Sequence, residues 1–258
     1  MPLFEEWCTC EIDQNGRKRF LKFRELDGGR ATIAARLPDV MRSHYDDTAR
    51  IAEDVHALGY AGAATLLAER MPRSPRARSG ELGEILATEL VEEQLGFSVP
   101  VRRLRYKDGR EMALRGDDFI GVRTNAEDEL YLLKGEAKSR ANLTAATIEE
   151  ARTALSRDGG RPTATSLLFI ADRLMDSHGE IGELGRKIRN EVALRSVPAA
   201  RIDHALFTMS GNPPPRALVM DLAGASLDRN HIVAHLHIAD HQEFIRTAYE
   251  GALALGDN

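Results

Sequence analysis

Glu136 and Lys138 stand two residues apart at the end of the apolar run Tyr131-Leu132-Leu133-Lys134-Gly135. Side chains of a strand alternate between faces, so this carboxylate and this ammonium point the same way while Ala137 points the other. Burying such a pair is costly unless further charge or hydrogen bonding supports it, and beside a divalent cation it gains a use. Asp117 and Asp118 stand at the mouth of a second apolar stretch, Phe119-Ile120-Gly121-Val122. Asp118 is the better candidate of the two, because in an extended segment it shares a face with Ile120 while Asp117 shares the other with Phe119.

Two carboxylates within reach of one Mg²⁺, or of Mn²⁺ in its place, would bind it through oxygen, with the Ala137 backbone carbonyl and water completing an octahedron. Such an ion lowers the pKa of a bound water and offsets the charge that develops at phosphorus, which suits phosphodiester hydrolysis. Lys138 would orient that water or, with a depressed pKa, take its proton. Glu84, in a helix expected just before the sheet, would ligate through water or support a second ion. Glu81, one turn earlier, competes for that role. The candidate catalytic set is therefore Asp118, Glu136, Lys138 and Glu84, and the candidate metal ligands are Asp118, Glu136, the Ala137 carbonyl and Glu84. Each also has an ordinary structural reading: Glu-x-Lys as a solvated strand face, Asp-Asp as a turn, and acidic residues as partners of the exposed amides in a first helical turn.

The elements that must position these groups follow from pattern. Glu81 to Leu95 has apolar residues near helical spacing, with Ser79 as cap and Gly96 as stop. A strand is expected over Val99–Tyr106, a turn at Lys107-Asp108-Gly109-Arg110, and a second strand through Met112 and Leu114 towards Gly121. Asn125–Asp128 turns into a third strand, Glu129–Lys138. A helix is expected over Thr144–Leu155 and a buried strand over Thr165–Ala171, around Leu167-Leu168-Phe169-Ile170. Further on, a helix is expected over Gly182–Val192, strands over Ile202–Met209, Ala217–Leu222 and His231–Ile238, and a helix over Asp240–Gly256. Before these, residues 17–24 permit a strand, and His44 to Arg70 reads as helix interrupted at Gly59 or Gly62. The Pro/Ser/Arg-rich stretch Met71–Gly80 is the strongest internal boundary. The order implies an α/β protein with helices on the faces of a sheet.

Thirty-five basic and 40 acidic residues leave a formal charge of −5 across 258 residues, so a freely nucleic-acid-binding surface is not advertised. Contact with nucleic acid would be local, metal-assisted or supported by a basic partner. Arg186, Lys187 and Arg189 on the 182–192 helix are weak candidates for meeting a phosphate backbone. The histidines at 231, 235, 237 and 241 lack a nearby carboxylate set and read as structural or surface residues. No phosphate loop for a nucleotide is visible in the glycines at 179, 182 and 185. With two cysteines, Cys8 and Cys10, no apolar run of membrane length and an acidic start without a secretory pattern, a cytoplasmic protein is expected.

The ordered set Glu84, Asp118, Glu136-Ala137-Lys138 resembles the PD-(D/E)xK nuclease superfamily, with Gly116-Asp117 standing where the name places Pro. Ser79-Gly80-Glu81-Leu82-Gly83-Glu84, Gly116-Asp117-Asp118-Phe119-Ile120-Gly121 and Lys134-Gly135-Glu136-Ala137-Lys138-Ser139 resemble, more narrowly, the nuclease-subunit family of the Hachiman anti-phage defence system. The resemblance implies a restriction-endonuclease-like core with a central mixed sheet flanked by helices over 76–258, and a mostly helical accessory region over 1–75. It implies a Mg²⁺-dependent deoxyribonuclease held in a hetero-oligomer by a superfamily 2 helicase, with DNA as substrate. A restriction or repair-type endonuclease of the same superfamily, or a nuclease-like scaffold that binds nucleic acid without cutting it, remains the alternative.

Overall fold

The computed structural model describes residues 2–112 and 114–256. Helix α1 (Leu3–Trp7) leads into an antiparallel hairpin, β1 (Cys8–Asn15) and β2 (Lys18–Glu25), followed by α2 (Gly29–Ile33), α3 (Arg36–Tyr45), α4 (Thr48–Arg70) and α5 (Pro75–Gln94). A second hairpin, β3 (Phe119–Thr124) and β4 (Leu130–Arg140), precedes α6 (Ala145–Ser156), α7 (Ala164–Met175) and α8 (Glu180–Leu194). β5 (Ile202–Ser210), α9 (Arg216–Gly224), β6 (His231–His237) and α10 (His241–Leu253) complete the chain. The strands form one six-stranded mixed sheet in the order β1-β2-β6-β5-β4-β3, flanked by helices, which is the α/β architecture expected.

The central strands explain themselves. All nine residues of β5 are buried, as befits a strand with parallel neighbours on both sides and helices over both faces. On one face Phe207 and Met209 join Leu82, Ile85 and Leu86 of α5 and Phe244 and Tyr249 of α10. On the other, Leu206 and Val233 pack on Ile148 and Leu155 of α6 and Leu218 of α9. The hairpin of β1 and β2 belongs to the same sheet, since β2 runs parallel to β6 from Lys18 opposite His231 to Arg24 opposite His237. The Pro/Ser/Arg stretch is the approach to α5: Pro75 is its first residue, and Ser74 accepts the Ala77 N–H as its cap. Ser79, expected as that cap, lies inside the helix.

Four expected strands differ. Val99–Tyr106 touches the sheet only through the bridge between Ser98 and Val122 and then coils into a 3-10 turn, Arg103–Tyr106. Of the strand expected from Met112 towards Gly121, Phe119–Gly121 is strand while Met112 and residues 114–118 are not, and Ala113 lies outside the described residues. Thr165–Ala171 lies in α7, where Leu167, Ile170, Ala171 and Leu174 recur at helical spacing against Ile120, Val122 and Leu132, and Thr163 caps the start. Ala217–Leu222 lies in α9, which buries Leu218 and Leu222 but exposes Val219 and Met220. A four-residue apolar run satisfies either period, and here packing chose the helix. β1 went unseen because seven of its eight residues are exposed, so no alternation marks it. Gly59 does interrupt α4, with φ 72° and ψ 172°.

Candidate active site at the open edge of β4

The β3–β4 ladder begins with Phe119 opposite Gly135. Beyond Gly135, β4 runs on through Glu136–Arg140, still paired with β5 as far as Arg140 opposite Ser210, while its outer edge has lost its strand neighbour. That edge opens into a cavity of about 480 Å³ between α5, the segment before β3 and the end of β4. Asp118, the residue before β3, fills the first vacated ladder position with its side chain: Oδ2 accepts the Ala137 N–H at 2.8 Å. A residue's N–H and C=O leave an extended strand on the same edge, so the Ala137 carbonyl also faces the cleft.

Four ionisable groups meet there. Lys138 Nζ lies 2.9 Å from Glu136 Oε1 and 3.2 Å from Glu150 of α6. Burial pulls the Lys138 pKa down, but the carboxylates of Glu136, Glu150 and Asp118 outweigh it and the pKa is raised. With its pKa raised, Lys138 is held as an ammonium with N–H donors to offer. Burial and the Asp118 carboxylate push Glu136 up to about 7 against the pull of Lys138. Asp118 is raised by burial despite the Ala137 N–H and Lys138. Glu84 is raised well above the usual range, first by burial and then by Asp118. Glu81 is otherwise engaged: Tyr45 donates to it at 2.7 Å and Lys107 forms an ion pair with it. Glu84 has no hydrogen-bond partner among the described residues.

The donor set suits a hard divalent cation: the groups are oxygens, and their pKa values are raised first by burial, a penalty on the charged form that a cation beside them would offset. Among the described residues no three Asp, Glu, His or Cys side chains stand so as to hold a metal ion between them, so a backbone carbonyl and water would have to complete the shell. Asp118, Glu136 and the Ala137 carbonyl, with Glu84 behind them, would hold the ion in the manner usual for Mg²⁺, through one or two carboxylates with water and substrate oxygens completing the shell.

Neighbouring residues fix this geometry. Asp117 is buried and turned away from the cleft, 3.4 Å from the buried Lys134 ammonium and accepting hydrogen bonds from the Thr163 N–H and hydroxyl. Arg103 donates to the carbonyls of Asp117 and Arg115, holding the segment that presents Asp118. Ser139, next to Lys138, shares hydrogen bonds with Ser79 Oγ of α5 at 2.8 Å and with His241 Nε2 of α10 at 2.9 Å. Gly83 lets α5 approach, since a Cβ there would stand 3.2 Å from Ser139 Cβ.

Arg186, Lys187 and Arg189 are not brought to the cleft. They lie on α8, where Lys187 pairs with Asp128 just before β4 begins and Arg189 pairs with Asp172. The guanidiniums that do line the cleft are Arg76 and Arg140. Both lay in stretches read for other reasons, Arg76 as part of a boundary and Arg140 just past the Glu-x-Lys strand, and the two-residue step from Lys138 to Arg140 was the signal available. The histidines are tied into the fold: His235 to Thr208, His231 to Ser226 and Arg152, His237 to the Gly211 carbonyl, and His241 to Ser139.

A family model described as HamA matches residues 1–252. The chain is also similar to the Hachiman protein HamA of Bacillus cereus, with 26% identity over 182 residues, 67% of this chain and 59% of that protein. The match thus spans little more than half the length of that relative. No helix among the described residues is long and apolar enough to cross a membrane.

Proposed function

Because the chain belongs to the HamA family, we propose that it is the nuclease component of a Hachiman-type anti-phage defence system, hydrolysing DNA phosphodiesters with Mg²⁺ or Mn²⁺ under the control of a helicase partner. The observation that carries this reading is the open edge of β4, where Asp118 accepts the Ala137 N–H, Glu136 pairs with the Lys138 ammonium and Glu84 lines the same cleft.

A divalent cation bound there would lower the pKa of its water and offset charge on the phosphate. The chain's own groups then divide the work. Lys138, steadied by Glu136 and Glu150, directs N–H donors at the attacking water or at a non-bridging phosphate oxygen. Asp118 and Glu136 would supply the negative charge that holds the ion, and the Ala137 carbonyl would add a neutral donor. Glu84, whose carboxyl burial and Asp118 raise well above the usual range, would be a further ligand, directly or through water. The helicase partner and DNA as substrate are supported by family membership.

The test is degradation of linear, nicked and supercoiled DNA with Mg²⁺ or EDTA, by the chain alone and with the products of the neighbouring genes. Cleavage that needs Mg²⁺ and is lost in Glu136→Gln and Lys138→Ala supports the proposal. DNA binding without cleavage under every condition would instead identify a nuclease-like scaffold.

A further inference from the structure

The acidic cleft continues past Lys138 into a second hollow of about 420 Å³, and Arg76, Ser139 and Arg140 line both. The two hollows differ in charge. Glu81, Glu84, Glu111 and Asp118 line the first together with Lys138 and the two shared arginines, whereas the only charged side chains lining the second are Arg76 and Arg140. Neither guanidinium has a carboxylate partner among the described residues. Arg76 is exposed, and Arg140 donates only to the Ser139 carbonyl, at 2.8 Å.

Rigid elements carry both residues. Arg76 is the second residue of α5, which Ser74 caps, and Arg140 is the last residue of β4, backbone-paired with Ser210. Between them, Ser139 is tied to Ser79 and His241. Arg140 stands two residues beyond Lys138, about 7 Å along the strand. That is comparable with the step between neighbouring phosphates of an extended polynucleotide. A guanidinium fork matches two phosphate oxygens at once, and fixing its backbone leaves less freedom to lose on binding.

We infer that Arg76 and Arg140 form a subsite for a backbone phosphate flanking the phosphodiester at Lys138, so that a nucleic-acid strand crosses from the acidic hollow into the basic one. The inference rests on the nuclease reading and adds the path of the strand. It also explains how a chain of net charge −5 could hold a polyanion: the positive charge is concentrated at one end of the cleft.

Binding of a fluorescent single-stranded oligonucleotide to the full chain would be followed by anisotropy over a range of salt concentrations with Mg²⁺, using Glu136→Gln as background so that the probe stays intact. Arg76→Ala and Arg140→Ala should each weaken binding about tenfold, as expected for loss of one charge-assisted contact. Each should also reduce the slope of log K against log salt by about 0.7. Arg186→Ala, on α8, should change neither quantity. In the otherwise wild-type chain both substitutions should raise KM more than they lower kcat. Unchanged affinity and slope in the double variant, in a chain that cleaves DNA, would overturn the subsite and leave the nuclease standing. Binding that depends on both arginines in a chain that never cleaves would uphold the subsite and remove the nuclease. Absence of oligonucleotide binding would overturn the subsite.

Discussion

Asp118 Oδ2 accepts the Ala137 N–H at 2.8 Å where the next β3 ladder bond would have formed. Ending β3 at Phe119 therefore exposes one edge of β4 without leaving its first amide unpaired, and it places a carboxylate beside the strand that carries Glu136 and Lys138. Asp117, one residue away, is committed to Lys134 and Thr163.

The two aspartates should therefore fail in opposite ways. Asp117→Ala removes the counter-charge of the Lys134 ammonium, which is 1% exposed and keeps only its bonds to the Arg157 and Arg161 carbonyls, and should cost about 3 kcal/mol of stability. Asp118→Ala leaves the Ala137 N–H open to water and relieves repulsion on Glu84 and Glu136, so stability should change by less than about 1 kcal/mol. Cleavage should fall at least about a hundredfold, since loss of even an outer-shell metal partner costs 10–100-fold. Urea unfolding together with initial cleavage rates separates the two, and equal destabilisation by both substitutions would refute the assignment.

Metal and pH should be linked through Glu136. Its carboxyl rises from 4.5 to about 7 on folding, so the stabilisation that its proton provides is complete below about pH 4.5 and is lost as the pH climbs through 7. The metal-free chain should lose on the order of 2–3 kcal/mol from this group between pH 5 and 8. His204, His231, His235 and His241 act in the opposite sense: burial lowers their pKa values to about 3 or 4, so their contribution is lost as pH falls below 6.5. The difference between the wild-type chain and Glu136→Gln isolates the carboxyl. At pH 8 without metal the variant should melt about 5 °C higher. Mg²⁺ should raise the wild-type Tm at pH 8, do little at pH 5, and do little to the variant at either pH. A Tm indifferent to Mg²⁺ at pH 8 would remove the metal site.

Phe119 and Gly135 hold the hairpin in register, because a Cβ at Gly135 would stand 1.9 Å from Phe119 Cε2. Gly135→Ala should cost about 1–3 kcal/mol through overpacking. Combined with Phe119→Ala the cost should be clearly less than the sum of the two, as chemical denaturation of the double-mutant cycle would show. Strict additivity would mean that the ring does not set the register.

The grouping of side chains was legible where residue type and spacing carried it. Glu136, Lys138 and Ala137 could be read because β4 is a true strand, its hairpin turn at Asn125–Asp128 is marked by polar residues, and its helical successor α6 has a clean period. Asp118 was chosen by parity, and the register agrees, since the antiparallel ladder continued by one residue sets Asp118 opposite Glu136. Less legible was whatever depends on tertiary contact. Leu167-Leu168-Phe169-Ile170 fits a buried strand as well as a helix, and only the Ile120–Leu132 surface decides between them. Arg76 and Arg140 matter through the hollow they share, which no one-dimensional pattern marks, and the Arg103 contacts with the Arg115 and Asp117 carbonyls join residues with no common period.

His241 offers the sharpest test of how the cleft is held. It shares a hydrogen bond with Ser139, which in turn meets Ser79, so that α10, β4 and α5 are joined directly behind Lys138. The imidazole is buried and its pKa is lowered to about 4, so it is neutral at working pH and acts through Ser139. His241→Ala should lower kcat/KM about 10–100-fold, as expected when a reacting group loses the contact that orients it. The Mg²⁺ concentration needed for half-maximal rate should rise, because Glu136 and Ala137 shift with the strand. His241→Gln, which can still bond to the Ser139 hydroxyl, should restore much of both. A loss of thermal stability with an unchanged Mg²⁺ requirement, and no rescue by Gln, would reduce His241 to a packing residue.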